Sequence, residues 1–132
     1  MHAGLYVGHD AALEASRTHG QFNAIDPDAG WKVDLIVRKD RAFSKREFER
    51  RARADLLGID VSLASLEDVL IAKLEWARMG DAELQRGDVV RLIERSGDQL
   101  DRAYLEKWIA ELGLQAEWDS ALRRSGEEPP DR

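Results

Sequence analysis

The sequence predicts an α+β fold: a small mixed or antiparallel sheet followed by a C-terminal helical bundle. Three observations predict it. Residues 21–37 carry strand-like runs on either side of Asp26-Pro27-Asp28-Ala29-Gly30, the pattern of a β-hairpin around a turn. Ile59, Val61 and Leu63 alternate with Asp60 and Ser62, a second strand signal. From Ser65 onward the pattern is helical, punctuated by cap and stop residues.

The elements follow in order. Leu5-Tyr6-Val7 reads as a short strand. Asp10 precedes the helix-forming run Ala11–Ala15, and Gly20 stops it. Gln21–Ile25 and Trp31–Val37 are the hairpin arms; Pro27 presets one φ angle of the turn and Gly30 supplies a positive one. Ser44 and Glu47 have capping-box spacing, with Phe43 and Phe48 placed as a hydrophobic staple, so a helix is expected from Ser44 to about Ala54. Gly58–Leu63 is the next strand. Ser65 with Asp68 opens a helix that Gly80 ends. Asp81 caps another that ends near Gly97. Asp101 caps a third, with Leu100 and Leu105 as its staple and Gly113 as its stop. Leu114, Trp118, Ala121 and Leu122 mark a last short helix. Ser125–Arg132 holds one Gly, two Pro and four charges, the composition of a disordered tail. This divides the chain into an α/β unit over residues 1–64, a helical bundle over 65–124 packed on it, and a tail over 125–132.

Composition bounds the function. With 132 residues and 43% of them hydrophobic, the chain suits one domain with a real core. Acidic residues outnumber basic ones by 26 to 20, and a net charge of −6 argues against binding nucleic acid over the whole surface, leaving a local contact open. The absence of cysteine excludes disulfides, thiolate zinc sites and cysteine nucleophiles. No apolar run approaches the roughly 20 residues of a membrane span. Residues 1–4 carry no basic stretch leading into an apolar one, so no signal peptide is expected. The expectation is a cytoplasmic protein with no membrane partner.

Four residues stand out as candidates for chemistry. Asp34 lies mid-strand, on the face it shares with Lys32 and Ile36, opposite Trp31, Val33, Leu35 and Val37. Aspartate is depleted in strands, so Asp34 is either a metal-binding or proton-transferring carboxylate on a rigid element, or a solvated partner of Lys32 or Arg38. Lys73 falls within the apolar stripe of Leu66, Leu70 and Ala77. A buried, unpaired lysine is costly. It must bind phosphate in a cleft, snorkel, or meet a carboxylate. Arg86 and Asp88 follow on the next helix, with Leu84 and Leu92 one turn either side of Asp88; a Lys73–Asp88 pair across two helices is expected, as a plain tie or as part of a site. Residues 38–53 hold eight basic residues against three acidic ones, either an anion-steering patch or a solvated face. Trp76, Trp108 and Trp118 are expected in the core.

Phe22-Asn23-Ala24-Ile25, the turn, and Trp31–Val37 with its Asp34 resemble the last hairpin of small bacterial nucleotidyltransferase-like proteins. That superfamily is polymerase-beta-like and includes the abortive-infection toxins of the AbiEii type. Ser65–Leu74, Gln85–Val90, Leu100–Leu105, Trp108 and Leu112-Gly113-Leu114 are similar to the helical segments that follow in that group, so the resemblance covers residues 20–122. It implies transfer of a nucleoside monophosphate from a nucleoside triphosphate, with magnesium held by three carboxylates. Asp34 matches the third of these as catalytic residue and metal ligand. Lys73, Arg86 and Asp88 become candidates for nucleotide binding.

The glycine-serine turn and the acidic pair that supply the other two carboxylates do not appear before Asp34. A two-metal site needs several carboxylate oxygens around ions about 3.5–4 Å apart. The chain is therefore expected to be a truncated or degenerate nucleotidyltransferase-like protein, its sheet N-terminally incomplete, inactive alone and using magnesium only if the missing carboxylates are supplied. The alternative is a non-catalytic interaction or oligomerisation module, such as a toxin–antitoxin component, in which a second copy or a partner chain covers the open sheet edge. A third reading, a restriction-nuclease-like fold, needs an E-x-K triplet on the following strand, and Gly58–Leu63 has none.

Overall fold

The computed structural model describes residues 4–80 and 82–132. The fold is α+β, with two small antiparallel sheets and a helical C-terminal region. The chain divides into two compact units, one ending at Glu49 and the other beginning at Arg50.

In the first unit, β1 (Tyr6–Val7), α1 (His9–Thr18), β2 (Gln21–Ile25) and β3 (Lys32–Ile36) precede α2 (Ala42–Glu49). The sheet order is β1-β2-β3, all antiparallel, which makes β3 an edge strand. The expected hairpin forms, and its ladder extends past both ends of β3: Asp26 N donates to Trp31 O, and Val37 N donates to Gly20 O. The turn uses Asp26 as an Asx cap, its Oδ1 accepting from the backbone N–H groups of Asp28 and Ala29 at 2.9 Å each, while Gly30 takes φ +74°. Ala15 of α1 and Ala24 of β2 are buried, and so is Phe43 of α2.

The helix expected from Ser44 to about Ala54 is corrected at both ends. It starts at Ala42 and stops at Glu49, so Ser44 lies inside it, buried, accepting from Arg41 Nε at 2.9 Å. Phe43 is buried, while Phe48 is exposed under the Arg38 guanidinium. Residues 52–56 are strand, because they pair with the strand that follows them.

In the second unit, β4 (Ala52–Leu56) and β5 (Ile59–Leu63) form a two-stranded hairpin ahead of α3 (Leu66–Met79), α4 (Ala82–Ser96), a 3-10 turn (Gly97–Gln99), α5 (Arg102–Leu112) and α6 (Gln115–Ser125). The hairpin belongs to this compact unit and not to the α/β unit that the sequence suggests would end at residue 64. Helix ends follow the sequence closely. Ser65 Oγ accepts from Asp68 N, Asp101 accepts from Tyr104 N, and Gly113 closes α5 at φ +68°. The expected cap at Asp81 lies outside the described residues. The core of this unit is helical: α3, α4 and α6 pack together and bury Leu70, Ile71 and Leu74, Val89 and Ile93, and Trp118 and Leu122. Trp108 and Trp118 are buried as expected, whereas Trp76 is 41% exposed. Beyond α6, Glu127 pairs with Arg102 at 3.0 Å, and Arg132 pairs with Asp119 at 2.8 Å and with Glu106 at 3.2 Å.

Candidate functional site

Asp34 sits at the centre of edge strand β3, exposed, opposite Asn23 of β2. Period-two alternation and the register put Gln21, Asn23, Ile25, Lys32 and Ile36 on its face. Those neighbours offer amide oxygens and one ammonium, but no second carboxylate. Magnesium prefers octahedral oxygen coordination, and this donor set does not fit a two-metal clamp. Among the described residues, no three His, Asp or Glu side chains gather into a metal-holding group. Asp26 and Asp28, which spell D-x-D, serve the turn: Asp26 Oδ1 is bound to backbone N–H groups, including that of Asp28.

Lys73, Arg86 and Asp88 belong to the second unit, Asp34 to the first. Lys73 Nζ of α3 donates to Asp88 Oδ2 of α4 at 2.8 Å and to Gln85 Oε1 at 3.4 Å. Arg91 donates to the other oxygen of Asp88, so the one carboxylate braces two cations. The hydrogen bonds from Lys73 and Arg91 hold the Asp88 carboxyl below the usual aspartate range. The side chains of Lys73 and Asp88 are 22% and 28% exposed, at the edge of the α3–α4 interface. The apolar stripe thus acquires its lysine together with the carboxylate that neutralises it. Arg86 does not join them. Its Nη1 reaches Glu83 at 3.4 Å, and its Nε is buried with no hydrogen-bond partner among the described residues. Comparison with family models, with curated proteins and with solved structures gives no match.

The most enclosed polar cluster was not legible as a site. Asp68, at the third position of α3, is fully buried. Its Oδ1 accepts from the Tyr104 hydroxyl of α5 at 2.5 Å, and its Oδ2 accepts from Ser65 Oγ at 2.6 Å. Arg50 completes the cluster, with Nε 3.6 Å from Asp68 Oδ2, Nη2 3.0 Å from Glu67 Oε1, and its guanidinium 3.5 Å from the centroid of the Tyr104 ring. Burial, and then the hydrogen bond and charge of Asp68, push the Tyr104 phenol far above its usual range, with Arg50 opposing. A buried carboxylate is tolerated only when its lone pairs are filled, and here a cap, a phenol and a guanidinium fill them. The sequence signal was the Ser65–Asp68 spacing. Nothing local pointed to Tyr104, which is 36 residues further along.

Lys45, Arg46, Arg50 and Arg53 of the basic stretch over residues 38–53 form ion pairs. Lys45 pairs with Asp40 at 2.7 Å, Arg46 with Glu49 at 3.3 Å, and Arg50 with Glu67 and Asp68. Arg53 pairs with Asp60. Charges so compensated make a solvated face more readily than an anion-steering patch.

Proposed function

We propose that this chain is a nucleotidyltransferase-like protein that engages a nucleoside triphosphate through Asp34 but does not transfer nucleotides by itself. The observation that carries this reading is the neighbourhood of Asp34: one exposed carboxylate at mid-strand, with Asn23, Gln21 and Lys32 around it. One carboxylate can hold a magnesium ion that already carries triphosphate oxygens, since magnesium sites often use one or two carboxylates plus substrate phosphates. It cannot align two metals for in-line displacement. Lys73 is engaged by Asp88 in this reading, a tie between α3 and α4.

The test is calorimetric titration of the purified chain with magnesium-ATP, alongside incorporation of labelled nucleotide. Saturable binding that weakens at least tenfold in Asp34→Ala, without incorporation, is the expected result. Incorporation that disappears in Asp34→Ala overturns the inactive part of the proposal. No binding at millimolar nucleotide overturns the nucleotide part.

A second reading, a non-catalytic interaction or oligomerisation module, is favoured by a separate observation. Val33, Leu35 and Ile36 on the β3 edge strand, and Leu56, Ile59 and Leu63 on the β4–β5 hairpin, are all exposed. Exposed strand edges recruit partners, and a monomeric chain at all concentrations counts against this reading.

A further inference from the structure

The hairpin β4–β5 ends in a two-residue turn, Leu57-Gly58, with both residues at positive φ (53° and 82°). In such a hairpin the residues flanking the turn exchange backbone hydrogen bonds, and bonded pairs then alternate along the ladder. Ala52, Ala54 and Leu56 therefore aim their backbone groups at β5. Arg53 and Asp55 aim theirs at the outer edge of β4, which pairs with no strand among the described residues.

The sequence of β4, Ala52-Arg53-Ala54-Asp55-Leu56, is complementary to itself when reversed. Antiparallel pairing about Ala54 puts Arg53 opposite Asp55 of a second copy, and Asp55 opposite Arg53 of that copy. Those are the two residues whose N–H and C=O groups point outward, so the charge register and the backbone register coincide. The same alignment sets Leu56 beside Ala52 of the second copy, keeping the apolar face continuous. It also answers a local conflict: Asp55 lies directly opposite Asp60 within the hairpin, where like charges repel, and Asp60 pairs with Arg53 while Asp55 accepts from the Gly58 backbone N–H.

The other edges do not match as well. Pairing β3 with itself over all five residues sets Asp34 against Asp34, and the shifted register that joins Lys32 to Asp34 sets Leu35 and Ile36 opposite Trp31 and Gly30, beyond the strand. Pairing β5 with itself about Val61 sets Asp60 against Ser62, with no charge gained.

We propose that two copies of this chain associate through β4, in a two-fold symmetric, four-stranded sheet of order β5-β4-β4-β5, with reciprocal Arg53–Asp55 pairs at its centre. The interface is isologous, the commonest arrangement for a homodimer, and it is independent of nucleotide handling.

Backbone amide exchange on the wild-type chain tests it, measured by NMR at two protein concentrations a hundredfold apart. At the low concentration, the Arg53 and Asp55 amides exchange fast while Ala54 is protected by β5. At the high concentration, Arg53 and Asp55 slow at least tenfold. Equal rates at both concentrations overturn the proposal. Charge reversal sharpens it in sedimentation equilibrium. Arg53→Asp alone and Asp55→Arg alone each weaken association at least tenfold, and an equimolar mixture of the two recovers it, because opposite charges then face each other at both contacts. Asp55→Arg keeps the Arg53–Asp60 pair of the hairpin, so undiminished association of that variant also overturns the proposal.

Discussion

The strands and the helices of this chain solve the problem of burial in different ways. In the helical region, Leu70, Ile71, Leu74, Val89, Ile109 and Trp118 are sealed from solvent. In the two sheets, the large apolar residues Val33, Leu35, Ile36, Leu56 and Ile59 stay at least 40% exposed, and only small Ala24 is buried. Fully burying a large apolar side chain contributes about 1.5–3 kcal/mol. The difference teaches that stability and surface have been assigned to different elements. Helices hold the molecule together, while the strands present edges and half-covered faces of the kind that recruit partners.

The largest expected effect breaks that comparison at its strong end. Trp118→Ala should destabilise the chain by about 4 kcal/mol, as aromatic truncations in packed cores do, whereas Val33→Ala on the exposed edge strand should cost less than about 1 kcal/mol. Urea unfolding of the two variants gives the contrast directly, and equal losses would contradict it.

Next comes the buried cluster. Asp68→Ala removes the acceptor of Tyr104 and Ser65 and one of the two carboxylates near Arg50. Breaking such a buried arrangement from one side costs about 3 kcal/mol, measurable in the same urea experiment. The cluster also sets an alkaline limit. Because the folded state holds the Tyr104 phenol far above its ordinary value of 10, its contribution to stability is complete below about pH 10 and is lost as the pH rises through the folded value. In a Tyr6→Phe background, where Tyr104 is the remaining tyrosine, ultraviolet absorbance should show no ionisation at pH 10–11 until the chain unfolds.

The smallest expected effect lies at the hairpin tip. Leu57 is 95% exposed at φ 53°, a region that disfavours leucine and favours asparagine. Leu57→Asn should stabilise the hairpin by about 0.5 kcal/mol, read as slower exchange of the Ala54 amide while the amides of α3 are unchanged.

How much was legible follows the same division. Helix limits set by single residues were readable, as at Ser65, Asp101 and Gly113, because a cap is a local hydrogen bond between neighbours in sequence. The Lys73–Asp88 tie was readable as one of three outcomes for a lysine in an apolar stripe, because Asp88 stands on the next helix between Leu84 and Leu92. Strand β4 was not readable. Ala52-Arg53-Ala54 is composed of helix formers and sits just after a helix, so local preference continued the helix to about Ala54, and only pairing with β5 makes it a strand. Ser44 misled for a related reason: its capping-box spacing with Glu47 is genuine, but Phe43 is buried inside a helix that had already begun at Ala42. The Asp68–Tyr104 contact joins α3 to α5, and no local pattern carries that information.

Native-state amide exchange at low protein concentration tests the division of labour most directly. The amides of Leu74, Val89 and Trp118, within the helical core, should exchange only through global unfolding, with free energies that match the urea value. Those of Phe22 and Ala54, within the sheets, should open locally and at least tenfold faster. Strand amides as protected as the helical ones would contradict the account.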